Sequence, residues 1–584
     1  MKKLKIKYRC TKIQQFFIER TIELLSPDSL DSFRLKIHNP KSLVRELRDV
    51  AIDYKNKKLK RFDYVANVAE ELSKSLKEEH CLNFGKIDED IVLKKLKKCE
   101  EKHLIDIIYI TESLLKLNEN YSKHLTKEII TVLISNFSNH VKNDVYDRLD
   151  TLIQFLYVEF LNLGYSKFYL NQFCQSILLK ISNKTFFERF LIIKKLIDRE
   201  DENFEIVFSV MSKTININQI DLDFNGFSQL TAQNKNTLKN KSNPNTQKYL
   251  RDFSSSALLK VELKEKDYYK ALERGKEKLL ELLDLLRISI SGLEVDVNDK
   301  ALVIGSNDPQ KAKSYSINFK IEGHYNKNIR IFRILKNKID LISSFEGFDI
   351  GSKRRITSSL RYLRKGYESS DLESKLLHYW IGLEYLYSYD DFTYDVLERI
   401  ADNLSNIHSI YYLRRNLNYF HREIKWFNLD EGLKVYNQNL KYLLSGGCLD
   451  TLIKQTDYPI ISNRSYFYKN KLNDGVSLKK YIHQHSQNLK WNIARCYRIR
   501  NQVVHNASIE KDINRLVSHM HYYLSFSIIA ISQYLIDNKA RISGEITLED
   551  VFTFSKLEME SLLIKSSLDP YELIKFKNPA KYIT

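Results

Sequence analysis

Arg500 and His505 stand five residues apart in LKWNIARCYRIRNQVVHNA, residues 489–507. An imidazole takes or gives a proton near neutral pH. A guanidinium is always charged and planar, which suits it to the charge that builds on a transferring phosphate. Attack of a ribose 2′-OH on the neighbouring phosphodiester needs an acceptor for the hydroxyl proton, a donor for the leaving 5′-oxygen and a fixed positive charge. These two residue types can supply all three. Asn501 is placed to orient either the phosphate or the imidazole. The chemistry requires no metal ligand set and no cofactor.

Bare spacing of this kind is common in a chain with 14 histidines. Arg515 to His521 is one such chance pair and is set aside. Arg415-Asn416-Leu417-Asn418-Tyr419-Phe420-His421 is another, again with asparagine after arginine, in a polar context crowded by Arg414, Asn418 and Arg422. Were it a second active motif, the chain would be a pseudo-dimer.

What sets Arg500 apart is its expected position on a helix. At ~100° per residue, Leu489, Ile493, Cys496, Val503 and Val504 form one apolar stripe, and Arg500 falls inside it. An unpaired charge facing a core is penalised by several kcal/mol. Arg500 is therefore either salt-bridged for structure or held in a site. Glu384, a single acid in the apolar-aromatic run LLHYWIGLEYLY (376–387), is the available buried partner. Tyr497 reads as a packing residue rather than a base-stacking one. His505 falls near the helix end, ~140° of rotation from Arg500, so one copy does not present the pair side by side. Two copies about a two-fold axis could, which predicts a composite site in a homodimer.

The run Tyr497 to Asn506, preceded by the Glu384 helix and followed by an amphipathic helix over Asp512–Leu535, resembles the Arg–polar–spacer–His signature of the HEPN superfamily. It is most similar to the Apea-like branch found in bacterial phage-defence and abortive-infection proteins. The resemblance covers about Phe348–Asn538, and its signature is a run of about ten residues. It implies a bundle of about four to five helices, dimerisation through the motif helices, and a metal-independent endoribonuclease that leaves a 2′,3′-cyclic phosphate. RNA (tRNA or mRNA) would be the substrate, and a phage-derived trigger or regulatory protein would be a partner. One departure stands out: roughly a hundred residues separate the Glu384 helix from the motif, more than a compact bundle needs. They include the aromatic stretch Tyr411–Trp426 and the Gly446-Gly447 break, and would cover the site, contact RNA or gate it. The competing reading is an inactive HEPN dimer that scaffolds RNA or a partner such as a nucleotidyltransferase.

The elements that must position these residues are mostly helices. At 584 residues the chain exceeds one core and should form about three domains. Sixteen glycines and seven prolines argue for long helices over a turn-rich β design. The expected fold is mainly α. Residues 1–232 read as a helical N-terminal array, with Leu152 to Leu161 at helical spacing and a break at Gly164-Tyr165-Ser166. Residues 233–256, polar and containing Pro244, read as a linker.

A small α/β domain is expected over 257–345: a strand at Ala257–Leu263, a helix at Asp267–Leu286, a hairpin joining Leu293–Val297 to Ala301–Ile304 through Asn298-Asp299-Lys300, and a strand at Tyr315–Ile321. A HEPN-like helical domain is placed at 346–545 with an insertion at about 400–488, then a C-terminal helix (Leu548–Ile564) and a basic tail to residue 584.

Composition narrows the partners. The net charge of +19 attracts nucleic acid or anionic lipid. Lysine runs such as Lys55 to Arg61 and Lys94 to Lys98 read first as solvated helix faces. Six cysteines without a Cys-x-x-Cys pair exclude a zinc ribbon and disfavour a disulfide framework, as in a reducing cytosol. His483 and His485 lack a nearby carboxylate or cysteine to complete a metal set, and a DNA-directed enzyme would need a carboxylate cluster. The basic start MKKLKIKYRC lacks the apolar core of a signal peptide, and Leu524–Ile536 is too short and polar to span a bilayer. A cytoplasmic protein without a membrane partner is expected.

Overall fold

Helix starts are written locally in this chain. Thr11 caps Lys12–Leu25 with Gln14 closing the box, Asn39 caps Pro40–Lys55 ahead of its proline, and Thr547 pairs with Asp550 ahead of Leu548–Ile564. The computed structural model describes residues 4, 6–27, 29, 31–78, 82–135, 142–217, 220–231, 233–235, 243–253, 256–290, 293–305, 308–318, 329–387, 395–429, 440–444, 447–506, 513–538 and 545–575. The fold is mainly α with one small antiparallel sheet, as expected. It divides into two units, 157–320 and the combination of 1–156 with 321–584.

The unit 157–320 holds strands β1 (Glu202–Ser212), β2 (Phe227–Gln229), β3 (Ala257–Glu265), β4 (Val295–Val297), β5 (Lys300–Gly305) and β6 (Asp308–Ser316). Their order is β2-β3-β1-β5-β6, with β4 also on β1. The central strand β1 lies in a stretch read with the helical region. Both of its faces are covered: Ile206, Phe208 and Val210 pack with the helix Tyr268–Ser289, and Val207 packs with Tyr249 and Leu250 of Pro244–Asp252. A strand buried on both faces loses the alternation that marks one in sequence.

Two other expectations change here. Nine residues of the presumed linker form the helix Pro244–Asp252, capped by Asn243, and Tyr249 donates from its hydroxyl to the Val207 carbonyl at 3.1 Å. The expected hairpin does not form. Instead β4 pairs with Val210–Ser212 and β5 with Phe204–Val207, so both line up along β1, and the hairpin partner of β5 is β6. The strand expected at Tyr315–Ile321 lies earlier, ending at Ser316; residues 319–321 are outside the described set.

In the other unit, the helices Ile350–Glu368, Leu372–Tyr387, Val396–Ile410, Gly475–Asn506, Asn514–Asn538 and Leu548–Ile564 pack into a bundle. Val396–Ile410, placed in sequence at the edge of an insertion, and Leu548–Ile564, placed in the tail, are members of it. The latter is fixed by a two-residue parallel bridge, with the Asp349 amide on the Ile546 carbonyl (3.0 Å) and the Ile546 amide on the Gly347 carbonyl (2.7 Å). Helices Lys12–Leu25, Pro40–Lys55 and Asp63–Glu78 belong to this same unit rather than to a separate array. Gly446 and the tail beyond Lys575 fall outside the described residues. Among the described residues, no helix is long and apolar enough to cross a membrane.

Candidate functional site

The motif lies at the C-terminal end of the 32-residue helix Gly475–Asn506, which runs ~48 Å at 1.5 Å per residue. Leu489, Ile493, Cys496 and Val503 are buried as the stripe requires, but Val504 is 50% exposed. The apolar face therefore gives out within the last turn. Arg500 sits where it does so. Its Nη2 is 3.9 Å from Glu384 Oε1, with the two side chains 26% and 27% exposed. Nη1 donates to Asn501 Oδ1 at 3.0 Å, and Nε has no hydrogen-bond partner among the described residues.

Glu384 is thus brought to Arg500 as expected, but as a loose, partly solvated contact rather than a buried pair. Its Oε1 takes the Trp380 indole N–H at 2.5 Å. The Trp380 and Tyr497 rings, 5.1 Å apart, fill the contact between the two helices and leave the ion pair at its edge. Tyr497 accordingly packs, as its sequence context implies.

His505 is exposed and has no hydrogen-bond partner among the described residues. It is the penultimate residue of the helix, ~140° around from Arg500. One copy of the chain does not join the two. The segment 507–512 lies outside the described residues.

The arginines of this helix that the core does take in were not singled out by sequence. Arg495 and Arg498, on other faces of the same helix, are buried. Arg495 holds Glu46 through Nε (2.8 Å to Oε1) and Nη2 (2.9 Å to Oε2), and reaches Glu71 at 2.6 Å; Arg498 also holds Glu46. Although burial opposes it, these guanidinium groups keep the Glu46 carboxyl well below its usual range. His38, 3.0 Å from Glu46, is pushed down to about 3, chiefly by burial. A small cleft with Tyr64, Trp491, Arg495 and Arg498 in its wall opens beside this cluster. Sequence offered no signal for it, because Glu46 is 449 residues away.

The second motif is closed. Arg415 and Asn416 are fully buried, and His421 is half-buried ~120° around the helix Tyr412–Trp426 from Arg415. The Arg415 guanidinium sits 5.5, 5.1 and 5.6 Å from the rings of Tyr412, Tyr522 and Phe526. Asn416 donates to Tyr481 Oη at 2.9 Å and accepts from Ser32 Oγ at 2.8 Å. Nearby His408 and His485 are held well below the ordinary histidine range, first by burial and then by the Arg415 charge. A phosphodiester cannot reach these groups in the folded chain.

Among the described residues, no group of three or more His, Cys, Asp or Glu is placed to hold a metal ion. Compared with protein-family models, curated proteins and solved structures, the chain has no match.

Proposed function

We propose that this chain is a metal-independent endoribonuclease of HEPN type, active as a homodimer in which Arg500 of one copy and His505 of the other meet on one phosphodiester. The observation that carries the reading is the open end of the helix Gly475–Asn506. Arg500 is tethered but not neutralised by a tight ion pair, His505 is exposed, and Val504 beside it exposes an apolar side chain. A non-catalytic arginine serving only to staple helices would favour the tight bidentate geometry that Arg495 adopts with Glu46.

In the proposed reaction His505 takes the 2′-OH proton as the ribose oxygen attacks phosphorus, and the P–O5′ bond breaks. The same imidazole then returns the proton to the leaving oxygen. Arg500 holds the non-bridging oxygens, with Asn501 beside it. The products are a 2′,3′-cyclic phosphate and a 5′-hydroxyl. Abortive-infection defence, with a phage-derived trigger, is the setting that the HEPN resemblance suggests.

The test is cleavage of total RNA and of tRNA in EDTA by the purified full-length chain. Wild type should cut; Arg500→Ala and His505→Ala should each lower the rate by at least 10²-fold, within the range for losing one group that acts in the transition state. If the wild type binds RNA but leaves it intact under every condition in which it is toxic to cells, the scaffold reading replaces this one.

A further inference from the structure

Helix Ile350–Glu368 carries six basic residues: Lys353, Arg354, Arg355, Arg361, Arg364 and Lys365. The structure divides them into two groups. Lys353 is spent on the Phe345 carbonyl, Arg355 on Glu549 and the carbonyls of Tyr385 and Leu386, and Arg364 on Glu368 at 2.6 Å. Arg354, Arg361 and Lys365 are exposed and have no carboxylate within ion-pair distance among the described residues. Their spacing of seven and four residues puts all three within ~40° of one another. That stripe lies opposite the face that buries Ser352, Ile356, Ser359 and Gly366 against the neighbouring helix.

A second observation lies beside the stripe. Tyr362 stacks on Tyr385 with ring centres 5.4 Å apart and an 18° tilt, and Lys365 Nζ is 5.1 Å from the Tyr362 ring. Tyr385 is 44% exposed, so part of its ring is open to solvent. It directly follows Glu384, the acid at Arg500.

We infer that this stripe and the Tyr362–Tyr385 stack form a binding track for single-stranded RNA that leads to the candidate site. Arg354, Arg361 and Lys365 would lie along the phosphates and Tyr385 would take a base on the exposed part of its ring, the pairing of charge and aromatic surface that unpaired strands use. The choice of RNA over other polyanions rests on the ribonuclease reading above.

The experiment measures binding, not cleavage. A fluorescent 20-nucleotide oligo-uridine is titrated with the full-length chain carrying His505→Ala, at several salt concentrations. The combined change Arg354→Gln, Arg361→Gln and Lys365→Gln should weaken binding at least tenfold and reduce the slope of log K on log salt by about 2, as ~0.7 per lost phosphate contact requires. Tyr385→Ala should weaken binding about tenfold, within the range for losing one stacked base, and leave the salt slope alone, while Tyr385→Phe keeps the affinity. Unchanged affinity in the triple variant overturns the track, as does equal affinity of the parent for duplex DNA of the same length. RNA binding that obeys these rules in a wild-type chain that never cuts RNA keeps the track and removes the ribonuclease reading instead.

Discussion

Arg495 grips both carboxylate oxygens of Glu46, at 2.8 and 2.9 Å, across 449 residues of chain. Arg498, three residues on, takes the same acid. The helix that ends in Arg500 and His505 is therefore clamped from the side by a helix near the start of the sequence. Glu46 is fully buried, and two buried guanidinium groups depend on it. Glu46→Ala should destabilise this unit by about 3–5 kcal/mol, the usual cost of leaving a buried charge unpaired. A thermal melt would register it as a drop of several degrees. An unchanged midpoint would mean that Glu71 and solvent can replace Glu46, and that the clamp is not a structural necessity.

Burial of Arg415 yields a different expectation. Arg415→Ala empties an enclosed aromatic cage and leaves a cavity beside His408 and His485, so it should lower stability by about 3 kcal/mol. His421→Ala should leave both folding and RNA cleavage close to wild type. Loss of cleavage in a normally folded His421→Ala protein would restore the second motif as an active centre.

How much of this was legible in the sequence follows from the range of the forces involved. Helices with local caps, such as that begun by Thr547, and the strand β3, which alternates from Leu259 on, announce themselves within a few residues. The strand β1 does not, since cover on both faces removes its alternation. Arg500 was found from a periodic stripe, and Glu384 as the one acid in an apolar helix; both readings used local information, and the structure puts the two residues near each other. The same stripe put Arg500 and Val504 on the core-facing side of the helix, yet Val504 is half exposed and Arg500 partly so, because a periodicity cannot say where its partner surface stops. Arg495 and Arg498 were not singled out, because Glu46 is close to them only in three dimensions.

Glu19 sets a pH dependence. It is buried in the helix Lys12–Leu25, where it accepts hydrogen bonds from Gln15 (2.8 Å) and the Ile460 amide (3.1 Å), and burial raises its carboxyl from 4.5 to about 7. Between those values the folded chain keeps a proton that the unfolded chain has lost. The contribution of Glu19 must then fall as pH rises through this window and level off above about 7, by about 3 kcal/mol in all. Buried His38, held down to about 3, acts in the opposite sense over the same range, so the Glu19 contribution is read as a difference: from pH 4.5 to 8 the melting midpoint of the wild type should lose ground relative to that of Glu19→Gln. A wild type and variant with parallel pH profiles would place the ionisation elsewhere.

Glu384 separates a positioning role from a chemical one. Its contact with Arg500 is long and a quarter exposed, so Glu384→Gln should cost no more than about 1 kcal/mol of stability. The amide oxygen can still accept from the Trp380 indole. If the acid only steadies Arg500, cleavage should fall by less than tenfold with the shape of its pH profile preserved. A shifted pH optimum in Glu384→Gln would instead give the carboxylate a place in proton transfer.

The composite site makes the sharpest demand. Arg500 and His505 are ~140° apart on one helix end, so the proposal requires each to work with the partner of the other copy. Arg500→Ala and His505→Ala homodimers should each be inactive. When the two variants are mixed, unfolded together and refolded, random pairing gives about half heterodimers, each with one intact site out of two. Cleavage should then return to about a quarter of the wild-type rate. Neither a helix staple nor a site built within one copy can produce that recovery. A mixture that forms heterodimers, as followed by two different tags, and yet stays inactive would rule out the composite geometry.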